Sequence, residues 1–117
     1  MSQHTRTTQE VFDHHVQALI ARNLDEVVAD YAENAFIVTP EGVTRGRPAI
    51  RVLFANLLEA LPNAQFAAKT LIIEGEVLFL EWTADSAKNR VNDGVDTFLI
   101  RNGQIQAQTV KFTLTPK

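Results

Sequence analysis

Cysteine is absent from the 117 residues, so the chain has no disulfide staple and no thiolate for nucleophilic or metal chemistry. Long apolar runs are missing as well. No stretch approaches the roughly 18 apolar residues of a membrane span, and the polar opening from Met1 to Thr8 does not read as a secretory leader. A soluble, cytoplasmic protein is the expectation. Basic runs are lacking too: 11 Lys and Arg are scattered among 14 Asp and Glu, for a net charge of -3. That disfavours a phosphate-tracking surface and nucleic-acid partners. There is no serine elbow and no glycine-rich phosphate loop. His14 and His15 are adjacent, so on a helix they diverge by about 100° and do not form the same-face pair of a helical zinc motif. Triad hydrolysis, nucleotide binding and a resident metal or cofactor are therefore not expected.

What is present is amphipathic pattern. The length predicts one domain over residues 8–117, preceded by a flexible arm over residues 1–7. Thr7 or Thr8 is placed to cap a helix bearing Phe12, Val16, Leu19 and Ile20 on one side, with His15 at the boundary. A second helix is expected from Leu24 or Asp25 to Tyr31. Ala35–Thr39 reads as a short strand ended by Pro40, and Pro48 suits the first turn of a third helix from about Ala49 to Leu61.

The remainder reads as sheet. Four β-rich segments follow, turned by Glu74-Gly75-Glu76, by the polar stretch Ser86–Asp93 and by Asn102-Gly103, a strong hairpin signal because both residues accept positive φ. Helices followed by a strand meander suit an α+β domain in which helices cover one face of a curved antiparallel sheet.

Asp96 is the residue that most needs explaining. It lies among Val95, Thr97, Phe98, Leu99 and Ile100, and a carboxylate in such a strand is either solvated at an edge or placed in a cavity where its pKa moves. Strand parity groups Phe79 with Glu81 and Thr83, and Gln108 with Val110 and Phe112. The constellation this suggests is Asp96, Glu81, Thr83 and Gln108, with His15 from the first helix and Phe79, Phe98 and Phe112 as an apolar enclosure. Trp82, Leu78 and Leu80 suit the monomer core and a subunit interface equally.

The first helix, the segment from Asn23 to Ala35, the Pro40-Glu41-Gly42 turn with Gly46, and the segment from Gly94 to Ile105 together resemble the nuclear transport factor 2-like superfamily, particularly its small SnoaL-like and steroid isomerase-related members. The resemblance implies a cone-like α+β fold around a hydrophobic pocket and a homodimer formed through the outer sheet face. It also implies that Asp96, Phe98, Gln108, Val110 and Phe112 face the pocket. The general-base aspartate of steroid isomerases matches Thr39, and their helix-one tyrosine matches His15. Their protonated strand aspartic acid alone finds a counterpart, in Asp96. The aspartate-arginine-aspartate set of related epoxide hydrolases is not recovered.

Two functions follow as expectations. One is a cofactor-independent acid-base enzyme of isomerase, cyclase or hydrolase type acting on an apolar carbonyl or cyclic small molecule, with Asp96, His15 and Glu81 as catalytic residues. Its ligand wall would be Thr39, Phe79, Thr83, Phe98, Gln108, Val110 and Phe112. The alternative is a noncatalytic ligand-binding or dimeric structural module.

Overall fold

The computed structural model describes residues 5–117. Helix α1 (Thr8–Ile20) starts in a reciprocal capping box: the Thr7 side chain accepts from the Glu10 amide, and the Glu10 carboxylate accepts from the Thr7 amide at 2.8 Å. Its buried side carries Val11, Phe12, His15 and Ala18. Arg22, at φ 58, turns the chain out of α1, and Asn23 caps α2 (Leu24–Ala29). The second helix is shorter than its apolar spacing predicts, because Tyr31 opens strand β1 (Tyr31–Thr39) instead of closing the helix.

Strand β2 (Gly42–Arg45) follows the Pro40 turn and pairs back onto β1. The sequence presented this segment only as a turn. Helix α3 (Arg47–Ala60) has Pro48 in its first turn, where a missing N–H is harmless. The Arg22 guanidinium closes its far end, donating to the Leu58 and Leu61 carbonyls at 2.8 and 3.3 Å.

Strands β3 (Gln65–Glu74), β4 (Val77–Asp85), β5 (Asn89–Arg101) and β6 (Gln104–Lys111) form the meander, and a two-residue β7 (Thr115–Pro116) pairs with the start of β5. Asn102 and Gly103 take φ of 56° and 72°, the twisted two-residue turn the Asn-Gly pair predicts. The connection between β4 and β5 is shorter than expected, since Asn89–Asp93 belongs to the strand.

The sheet order is β2-β1-β6-β5-β4-β3. Two expectations need correcting here. The sheet is open, with β2 and β3 as free edges, so it does not close into a cone or barrel. It is also mixed, because β1 runs parallel to β6. The helices cover one face of it: α1 packs against β3 and β5, and α3 against β1 and β2. Between them lies the core of Val11, Val27, Tyr31, Ile37, Ile50, Leu61, Leu78, Phe98 and Ile105.

Of the expected N-terminal arm, residues 1–4 lie outside the described residues. Arg6 is held by Asp30 and by the Gly103 carbonyl, at 2.9 and 2.8 Å. Among the described residues, no helix is long and apolar enough to cross a membrane.

Candidate functional site

Register decides which side chains meet beneath the helices. Leu80 of β4 lies opposite Asp96 of β5, which lies opposite Val110 of β6; in the next inner row Leu78, Phe98 and Gln108 are aligned. Side chains alternate along a strand, so Trp82, two residues from Leu80, shares this inner face. Trp82, Leu78 and Leu80 are buried there in the core, which resolves the choice left open between core and interface.

The same alternation sends Glu81 outward, opposite Val95 and away from the carboxylate it was expected to join. Glu81 is exposed, and Phe79 and Thr83 lie on its side of the strand. Neither Glu81, Phe79 nor Thr83 lines the inner cavity. The expected grouping fails because the parity of β4 relative to β5 depends on pairing register, which period two alone does not supply.

The inner face lines a cavity of about 990 Å³, open to solvent on one side, with walls from the sheet, α1 and α3. His15, Thr39, Asp96, Phe98, Gln108, Val110 and Phe112 line it. Trp82, Phe54, Leu57 and Phe66 also contribute to its wall. Thr39 stands toward the β1–β2 turn, where its hydroxyl accepts from the Glu41 amide.

Asp96 is buried, and each of its oxygens has a donor. Trp82 Nε1 donates to Oδ1 at 2.8 Å, and Gln108 Nε2 donates to Oδ2 at 2.9 Å. Gln108 is oriented in turn by the Tyr31 hydroxyl, which donates to its Oε1. A buried chain therefore runs from Tyr31 through Gln108 and Asp96 to Trp82. Burial pushes the Asp96 carboxyl up from 3.8 to about 7, against the opposing pull of the two N–H donors. Burial, reinforced by the Asp96 and Asp30 charges, keeps the Tyr31 phenol well above its ordinary range and hence protonated.

His15 is 3 % exposed, its ring edge-on to Tyr31, Phe54 and Phe98 at centroid distances of 5.8, 5.6 and 5.6 Å. Burial lowers its pKa to about 4, outweighing the nearby Asp30 carboxylate, so the ring is neutral at pH 7. The cavity thus pairs a carboxyl that titrates near neutrality with a neutral imidazole. Among the described residues, no three His, Asp or Glu side chains are grouped so as to hold a metal ion.

Three participants escaped the sequence reading. Tyr31 was assigned to a helix end, and Trp82 to core or interface packing. Asp30, fully buried at the C-terminal cap of α2, fell inside the expected second helix and was not singled out. The Asp-Tyr pair at the helix-to-strand junction carries no pattern that marks it beforehand.

The helix-covered α+β sheet is of the nuclear transport factor 2-like kind, matching solved NTF2-like structures from Cytophaga hutchinsonii and Burkholderia xenovorans at TM-scores of 0.77. The SnoaL-like domain model matches residues 12–108, and the chain belongs to that family. A search of curated proteins finds no match. Several solved structures are similar. The epoxide hydrolase/cyclase-like enzyme SalBIII, which acts in pyran ring formation in the polyether salinomycin, is 21% identical, with 91% of this chain and 90% of that chain covered and a TM-score of 0.78. A candidate ketosteroid isomerase from Kribbella flavida DSM 17836 is 18% identical, with 97% and 84% covered and a TM-score of 0.77. IdmH, a candidate polyketide cyclase from Streptomyces antibioticus, is 12% identical, with 92% of each chain covered and a TM-score of 0.76. At these identities the likeness establishes the fold alone.

Proposed function

We propose that the protein is a cofactor-independent acid-base enzyme acting on an apolar carbonyl or cyclic small molecule, of the isomerase, cyclase or hydrolase type. The observation that carries this is Asp96: a buried carboxyl facing a cavity of about 990 Å³, with a pKa of about 7 and both oxygens held by fixed N–H donors. A group that titrates at the working pH exchanges protons with the smallest penalty in either direction. Trp82 and Gln108 orient its carboxyl plane, leaving its remaining lone pairs for a ligand. His15 is the second polar group on the wall, and Phe98, Val110 and Phe112 supply apolar contact.

Similarity to proteins described as an epoxide hydrolase/cyclase-like enzyme, a ketosteroid isomerase candidate and a polyketide cyclase candidate supports this range of chemistry. Support for a homodimer through the outer sheet face, also part of the proposal, comes from a row running across it. Ile72, Phe79, Thr97, Thr109, Val38 and Val43 align from edge to edge, with Ile72 and Val43 largely exposed.

The test is to incubate wild type and Asp96→Asn with a panel of polycyclic ketones, polyketide-like ketones and epoxides, scoring products by mass spectrometry and binding by calorimetry. Turnover in wild type, lost in the variant with affinity retained, is the expected result. Turnover unchanged by Asp96→Asn refutes the assignment. A second reading, a ligand-binding module without chemistry, is favoured by Thr39, which lines the cavity where the steroid isomerases carry a basic carboxylate. Binding without conversion across the panel would select it.

A further inference from the structure

Asp30 lies where α2 gives way to β1, and its carboxylate is fully buried. Three nitrogen-bearing groups surround it. Arg6 Nη1 is 2.9 Å from Oδ1, and His14 Nδ1 is 2.7 and 2.8 Å from Oδ1 and Oδ2. His15 Nδ1 is 3.9 Å from Oδ2. The second ring nitrogen of His14 points outward, 3.4 Å from the exposed Glu26 carboxylate. Arg6, His14 and Tyr31 are each committed to Asp30 or Gln108, so His15 alone in this group lacks a polar bond.

Among the described residues, His15 Nδ1 is the one buried side-chain nitrogen or oxygen without a hydrogen-bond partner. Leaving such an atom unpaired is costly, and the cost depends on whether it carries the ring proton. At 3.9 Å a hydrogen bond is out of reach, but Coulomb interaction is not. A lone pair on Nδ1 would be repelled by the Asp30 carboxylate, whereas an N–H is attracted to it. A neutral imidazole has one ring proton, so placing it on Nδ1 leaves Nε2 as an acceptor.

We propose that Asp30 is a positioning residue that holds His15 in the Nδ1–H tautomer, leaving His15 Nε2 as a bare hydrogen-bond acceptor on a side chain that lines the same cavity as Asp96. The two groups then have distinct tasks, with the carboxyl exchanging the proton and the neutral imidazole accepting a hydrogen bond from a ligand O–H or N–H. The assignment of tasks rests on the acid-base reading of the cavity. The tautomer does not, and it is measurable without any substrate.

Long-range 1H–15N spectra of histidine-labelled protein at pH 7, with His15 identified by loss of its signals in His15→Gln, provide the test. In wild type, Nδ1 is expected to resonate as the protonated nitrogen and Nε2 as the bare one. In Asp30→Asn the population shifts toward Nε2–H, while Asp30→Glu, which retains a carboxylate, keeps the wild-type form. A wild-type Nε2–H tautomer, or an Asp30→Asn spectrum unchanged in tautomer, overturns the proposal. If Asp30→Asn does not fold, the wild-type tautomer decides, since among the described residues Nδ1 has no hydrogen-bond partner and faces the Asp30 carboxylate at 3.9 Å.

Discussion

Trp82 and Gly94 face each other across β4 and β5, and a Cβ on Gly94 would lie 2.2 Å from Trp82 Cε2. The missing side chain is what lets the indole lie across β5 and reach Asp96, two residues along. Gly94→Ala must displace the ring. The expected cost is about 1–3 kcal/mol, as for other overpacked sites, read by urea denaturation. Trp82 is the sole tryptophan, so its emission should shift in the same variant. Unchanged emission and stability would show that the contact is not tight.

Trp82→Phe keeps most of the apolar surface but removes the donor to Asp96 Oδ1. An N–H bonded to a carboxylate favours its ionised form, so the Asp96 pKa should climb above about 7. A shift of roughly one unit corresponds to a charge-assisted hydrogen bond. Carbon-13 titration of labelled aspartate carboxyls measures it, and a pKa that stays put or falls contradicts the role given to the indole.

Asp96 and His15 pull the pH dependence of stability in opposite directions. Between an ordinary value of 3.8 and about 7, the folded state holds a proton on Asp96 that the unfolded chain has released, so this contribution is full below 3.8 and is lost as pH rises through 7. Between about 4 and 6.5 the unfolded chain holds a proton on His15 that the folded state rejects, so that contribution is full above 6.5 and is lost as pH falls through 4. Each slope is about 1.4 kcal/mol per pH unit at most, and they nearly cancel. Wild-type stability should therefore be flat from about pH 4.5 to 6.5. Asp96→Asn should rise with pH across this window and His15→Leu should fall. Parallel slopes in both variants would rule out the opposed pair.

The fold and the site differed in how far the sequence revealed them. Periodicity located α1, α3 and the hairpin at Asn102-Gly103, because each is set by local spacing or turn chemistry. Asp96 stood out because a carboxylate among apolar residues needs a partner or a cavity. Glu81 was misplaced because the inner face of β4 depends on its register with β5, and pairing is a long-range property. Trp82 and Tyr31 were missed for a related reason: an aromatic ring reads as packing until its N–H or O–H has a known destination. Asp30 draws its importance from Arg6, His14 and His15, which are brought to it only by the docking of α1 beside the α2–β1 junction.

Arg6 ties three parts of the chain together: the entry to α1, the buried Asp30 carboxylate and the Gly103 carbonyl in the β5–β6 turn. Among the described residues, Arg6→Ala leaves Asp30 with His14 as its one hydrogen-bonding side chain. Removing one partner of a buried charge is costly, up to 3–5 kcal/mol where nothing replaces it. Because the Arg6 side chain is 34% exposed and His14 stays in place, a smaller loss, about 1–3 kcal/mol, is expected in urea denaturation. The loss should shrink in Arg6→Ala/Asp30→Asn relative to Asp30→Asn alone, since the neutral amide no longer needs a cation. Additive losses in that cycle would mean that Arg6 acts through the Gly103 turn and not through the buried carboxylate.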